Sequence, residues 1–194
     1  MSRPRSICVF CGSRRGTDPA MARAATDLGR LLADNGIGLV YGAGGVGLMD
    51  IVAQAALDAG GHVTGVMPRH LAVKELLKEG LSELHIVDTM HDRKRVMFEL
   101  SEAFVALPGG IGTLEETVEI LSWRQIGIHD KPIVLLNILG AWDHFEALMR
   151  DRVRAGFCAA SDLELYEIVD RIDQLLPALE LARPPTVTAF SDWT

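Results

Sequence analysis

Apolar residues recur along the chain in two alternating rhythms. Short apolar runs at "SICVFCG" (6–12), "IGLVYG" (37–42), "HVTGVMP" (62–68), "LHIVDT" (84–89), "AFVALPG" (103–109) and "PIVLLNI" (132–138) read as strands, with "LYEIVD" (165–170) as one more. Helical patterns separate them, including 19–36, stopped by Asn35-Gly36, and 46–59, stopped by Gly60-Gly61. Continuously apolar strands alternating with helices predict a parallel sheet covered on both faces, a doubly wound, Rossmann-like α/β fold. No internal repeat or linker interrupts the pattern. The 194 residues suit one domain, with a core over about 5–181 and loose ends at "MSRPR" and "RPPTVTAFSDWT". Ligands of such folds bind beyond the carboxyl ends of the strands, so the loops opening with Cys11, Gly42, Pro68 and Pro108 are the functional candidates.

Two of these loops are glycine-rich. "YGAGGVG" (41–47) spaces Gly42, Gly44 and Gly47 as G-x-G-x-x-G between a strand and a helix. A dinucleotide site of this kind needs an acidic residue near the end of the next strand, and "VTGVMPRH" has none. A tight turn, or a generic nucleotide contact at Gly44 and Gly45, remains open. Leu48, Met49 and Val52 just beyond read as a helix's core face rather than as a wall for a bound base. "LPGGIGTLEE" (107–116) exceeds what a turn needs. Gly109, Gly110 and Gly112 let backbone amides converge, Thr113 adds a hydroxyl, and a helix beginning at Thr113 adds unpaired N–H groups and its positive dipole end. A phosphate is the natural guest.

Helical projection separates the two glutamates that follow. At about 100° per residue, Glu115, Glu119 and Ser122 share a polar face, whereas Glu116 falls between Trp123 and Ile120 on a largely apolar flank. In "MHDRKRVMFEL" (90–100) the same projection centres Arg93 on the stripe of Val96, Met97 and Leu100, opposite Arg95 and Glu99. A charge facing a core needs a partner, and Glu116 or an anionic ligand would supply one to Arg93. The plainer alternatives are a structural ion pair for Glu116 and a solvated helix end for Arg93.

Charge and composition narrow the field of ligands. A net charge of −7, from 26 acidic and 19 basic residues, argues against a nucleic acid polymer as partner and leaves room for a small anion held locally. The absence of a long apolar run and of a signal-peptide pattern predicts a cytoplasmic protein with no membrane partner. Cys8, Cys11 and Cys158 are too few for a disulfide framework; Cys8 reads as strand core, and Cys11 as a strand-end residue able to line a site. Neither the lone C-x-x-C nor the six histidines have metal-ligand spacing, so no metal site is expected. There is no G-x-S-x-G nucleophile elbow.

"PGGIGTLEE" resembles the P-G-G-x-G-T-x-x-E signature of the LOG family, and "MHDRK" resembles its accompanying Arg-Lys element. "CVFCGSRRG", "YGAGGVGLMD" and "GIHDKPIVLLN" are similar to the family in the same order, so the likeness covers roughly residues 5 to 181. It implies a Rossmann-like homodimer that hydrolyses the N-glycosidic bond of cytokinin riboside 5′-monophosphates to free base and ribose 5-phosphate, with AMP open as a second substrate. No cofactor is implied. By this likeness Arg93 and Glu116 are the catalytic positions, and Gly109, Gly110, Gly112 and Thr113 hold the phosphate. Lys94, Gly44, Gly45, Cys11, Gly12 and Ser13 fall at further substrate-binding positions, with Glu75 and Asp92 as lesser candidates for ribose or base contacts. Ala43 stands where many relatives have a glycine, with little consequence expected. A competing reading is a nucleotide or phosphorylated-cofactor carrier of the same fold without hydrolysis. The family's frequent label of lysine decarboxylase would require a Schiff-base lysine, and none of Lys74, Lys78, Lys94 and Lys131 is marked for that role.

Overall fold

The chain starts at the middle of its sheet and builds outward twice. β1 (Ser6–Phe10) is flanked on one side by β2 (Gly38–Tyr41), β3 (Val63–Pro68) and β4 (Glu83–Val87). On the other side follow β5 (Ala103–Ala106), β6 (Ile133–Leu136) and β7 (Glu167–Val169), giving a seven-stranded sheet of order β4-β3-β2-β1-β5-β6-β7. Every pairing is parallel, and Cys8 sits in register with Val40 on one side and Phe104 on the other. The computed structural model describes residues 3–72 and 77–182.

Strand alternation divides the core between two layers. Ile7, Val9 and Cys11 face the layer of α1 (Pro19–Asp34), α2 (Gly47–Asp58) and α7 (Leu175–Leu181), where Leu28, Leu32, Val52 and Leu179 are almost fully buried. Cys8 and Phe10 face the opposite layer, built from α4 (Met90–Glu99), α5 (Ile111–Gln125) and α6 (Asp143–Arg154). A short α3 (Arg69–Ala72) follows β3. Local signals set the helix starts: Pro19 opens α1 behind Asp18, whose carboxylate accepts from the Ala20 amide at 2.8 Å, and Thr89 caps α4 by accepting from the Asp92 amide at 3.0 Å.

Two expectations need correction. β4 is not covered on both faces, because it is an edge strand whose Leu84 and Ile86 are each 40% exposed. The helix of the second glycine loop begins at Ile111, not at Thr113, so Gly112 and Thr113 belong to its first turn. Ala43 also has a cost that its sequence context hides. Its φ of 58° is left-handed, a conformation that disfavours a residue with a Cβ by about 1–2 kcal/mol.

The strand order reverses between β1 and β5, since the chain leaves these neighbours toward opposite edges. That reversal opens a crevice beyond their carboxyl ends, and the loops after β1 and β5 form its two lips.

Candidate active site

Three loops meet over the switch point and are tied by backbone hydrogen bonds. Gly12 N donates to Pro108 O at 3.2 Å, and Leu48 N donates to Gly12 O at 2.9 Å, so the loop after β1 is fixed both to the β5 loop and to the start of α2. Gly47, at φ +64°, permits this junction: a Cβ there would fall 2.2 Å from the Ser13 carbonyl carbon. A cleft of about 730 Å³ lies among these loops, ample for a nucleotide.

One wall of the cleft is the start of α5. Its N-cap is Gly110, which offers no side-chain cap, so first-turn amides are left for a ligand. Gly109, Gly110, Gly112 and Thr113 all line the cleft, as do Cys11, Gly12 and Ser13 from the opposing lip.

Glu116 stands one turn further along α5. Its side chain is only 12% exposed, and among the described residues it makes no hydrogen bond. Burial is the main influence on its carboxyl and raises its pKa above the ordinary glutamate value, against the lowering effect of Arg93. Arg93, also 12% exposed, approaches from α4 with Nη1 3.8 Å from Glu116 Oε1. That separation is an ion pair without a direct hydrogen bond, so both groups keep hydrogen-bonding capacity for a ligand. Arg93 Nη2 donates to Gly42 O at 3.3 Å, while its buried Nε has no partner among the described residues. Gly42 leaves the space for this guanidinium: a Cβ there would lie 1.7 Å from Nη2.

The other expected residues divide. Lys94 is not brought to the cleft; its largely buried Nζ donates to Glu115 at 2.6 Å and Glu119 at 2.9 Å, tying α4 to α5. Gly44 and Gly45 do not line the cleft either, and Gly44 instead bridges to Leu77. Asp92 shares a hydrogen bond with the capping Thr89 hydroxyl at 2.7 Å. Glu75 lies outside the described residues. Cys11 lines the cleft as a buried thiol whose pKa burial pushes far up, which suits an apolar contact better than a nucleophile. Leu48 and Met49, read from sequence as core alone, line the cleft together with Met21, Leu71 and Met90, forming an apolar wall. Arg14 and Arg15 were missed altogether. Their only sequence signal is a pair of cations in a loop after a central strand of an acidic protein.

No described lysine lines the cleft. Lys78 bonds Asp50 and Gln54, Lys131 donates to Phe98 O and lies over the Phe98 ring, and Lys74 is outside the described residues.

Comparison with known proteins places the chain in a family. The family model described as "Possible lysine decarboxylase" matches residues 49–179. The probable cytokinin riboside 5′-monophosphate phosphoribohydrolase LOG4 of Oryza sativa subsp. japonica is 45% identical over 175 residues, covering 90% of this chain and 76% of that one. The chain belongs to the LOG family. A second LOG relative, the cytokinin riboside 5′-monophosphate phosphoribohydrolase LOG5 of Arabidopsis thaliana, is 42% identical over 194 residues, with 99% and 85% coverage. Among solved structures, the molybdenum cofactor carrier protein of Chlamydomonas reinhardtii superposes with a TM-score of 0.69 at 22% identity, covering 92% of this LOG-family chain and 97% of that chain. The molybdenum cofactor binding protein of Rippkaea orientalis gives 0.68 at 21% identity, with 93% and 98% coverage. These structures share the fold.

Proposed function

We propose that the protein hydrolyses the N-glycosidic bond of cytokinin riboside 5′-monophosphates and of AMP, releasing the free base and ribose 5-phosphate. The observation that carries this reading is a buried carboxylate, Glu116, without a hydrogen bond among the described residues, next to Arg93 and one turn from an uncapped helix start in a nucleotide-sized cleft. A carrier needs the phosphate loop but has no use for such a pair.

The roles follow from the chemistry. The 5′-phosphate occupies the start of α5, where helix amides and dipole meet its charge. As the C–N bond breaks, the bonding pair leaves with the base and positive charge builds on the ribose. The Glu116 carboxylate stabilises that charge and hydrogen-bonds the ribose hydroxyls or the attacking water. Water supplies the hydroxyl of ribose 5-phosphate and the proton taken up by the base. Arg93 stays protonated, so it orients Glu116 and the nucleotide and does not serve as a base. The methionine- and leucine-lined wall takes the base.

The reading includes a homodimer. Leu114 and Val118 are 40% and 50% exposed on α5, an apolar surface that a second copy would cover.

The test is incubation of purified protein with AMP and with isopentenyladenosine 5′-monophosphate, followed by chromatography for free base. Release of base from either is expected. Binding of both without release would favour a carrier.

A further inference from the structure

We infer that Arg14 and Arg15 form a cationic clamp for the 5′-phosphate, facing the start of α5 across the cleft. This inference deepens the phosphoribohydrolase reading and rests on it for the identity of the ligand. Both arginines line the cleft, both are exposed, and among the described residues neither has an ion pair or a side-chain hydrogen bond. Their loop is fixed to the β5 loop through Gly12 N and Pro108 O, and Gly12 is packed so closely that a Cβ on it would lie 3.3 Å from Gly109 Cα. An arginine on this lip therefore has the reach to meet an anion seated at the α5 amides.

Charge balance points the same way. The other charged groups lining the cleft are Arg93, Glu116 and Asp18. Arg93 and Glu116 offset one another at 3.8 Å, and the Asp18 carboxylate accepts from the Ala20 amide at the start of α1. Asp18 keeps its negative charge, so the described side chains of the cleft carry a net charge of +1, and Arg14 and Arg15 are the cations among them without a partner among the described residues. Guanidinium forks suit phosphate oxygens through paired, charge-assisted hydrogen bonds. In a protein of net charge −7 the pair also offsets the repulsion that an anionic ligand meets at the cleft mouth.

The experiment is calorimetric titration of AMP and of adenosine into the wild type, R14A, R15A and their lysine counterparts R14K and R15K, with melting temperatures as the folding control. Roughly tenfold weaker AMP binding is expected in each alanine variant, since hydrogen bonds to charged groups are the stronger class. Adenosine binding and melting temperature should stay level, and the lysine variants should recover part of the loss. AMP affinity within twofold of wild type in both alanine variants would overturn the clamp. So would equal losses for AMP and adenosine, which would mark the arginines as structural, or an absence of AMP binding in the wild type. Tight AMP binding that depends on the arginines but yields no free base would leave the clamp standing and remove the hydrolase reading.

Discussion

Glu116 combines burial, a raised pKa and the lack of a hydrogen bond among the described residues in a single side chain. Glu116→Gln keeps its shape and removes the charge, so kcat for base release should fall about 10²-fold or more, with nucleotide binding largely kept. Glu115→Gln, on the solvent side and paired with Lys94, should change turnover little. If the two variants behave alike, the assignment fails. A glutamate whose folded pKa is raised binds its proton more readily in the native state, so its ionisation at neutral pH opposes folding. Glu116→Gln should therefore melt no lower than wild type, and the acid limb of the wild-type kcat profile should lie above the ordinary glutamate pKa of about 4.3. A limb at or below that value would refute the burial argument. Gly42 provides the complementary test, because the methyl of Gly42→Ala occupies the place of Arg93 Nη2. Displacing that guanidinium should cost on the order of 10²-fold in turnover, and unchanged kinetics would show that Arg93 does not need its present position.

At the scale of elements, α5 carries both the start proposed to hold the phosphate and Glu116, so its seating against the sheet decides the geometry of both. His129 fixes the joint between α5 and β6. Its Nε2 lies 3.0 Å from Ile120 O, and its Nδ1 accepts from the Lys131 amide at 3.1 Å, an arrangement that requires the neutral ring. Burial is the main cause that lowers its pKa below the ordinary histidine value. The unfolded chain then takes up this proton first as pH falls below about 6.5, so the stability contributed by His129 declines on acidification. The melting temperature should drop between about pH 7 and 5.5, and His129→Gln should flatten that slope; an identical slope in the variant would dismiss the joint as a pH-sensitive element. α5 also shows how far a helical projection reaches. It placed Glu116 correctly on the border of the buried stripe, where Thr113, Thr117, Ile120 and Leu121 are buried, but it gave no sign that Leu114 and Val118 would face outward.

For the whole molecule, those outward residues set the prediction for assembly. Val118→Glu is tolerable on a free surface and disruptive in a covered one, so light scattering should find twice the chain mass for wild type and a shift toward the single chain for the variant. A wild type of single-chain mass would remove the dimer. The sequence by itself determined the seven strands, the helices between them, the phosphate-suited loop and the exceptional positions of Glu116 and Arg93. Each of these depends on local geometry: period two or 3.6 residues fixes which way a side chain points, and glycine fixes where backbone can crowd. Only the tertiary structure decided which loops meet. Strand order is set by non-local pairing, and it is the reversal at β1 and β5 that brings the Gly12 loop against Pro108 and turns Arg14 and Arg15 into cleft residues. The same packing holds Lys94 against Glu115 and Glu119, away from the cleft and one position along the helix from Arg93, because adjacent residues on a helix point about 100° apart.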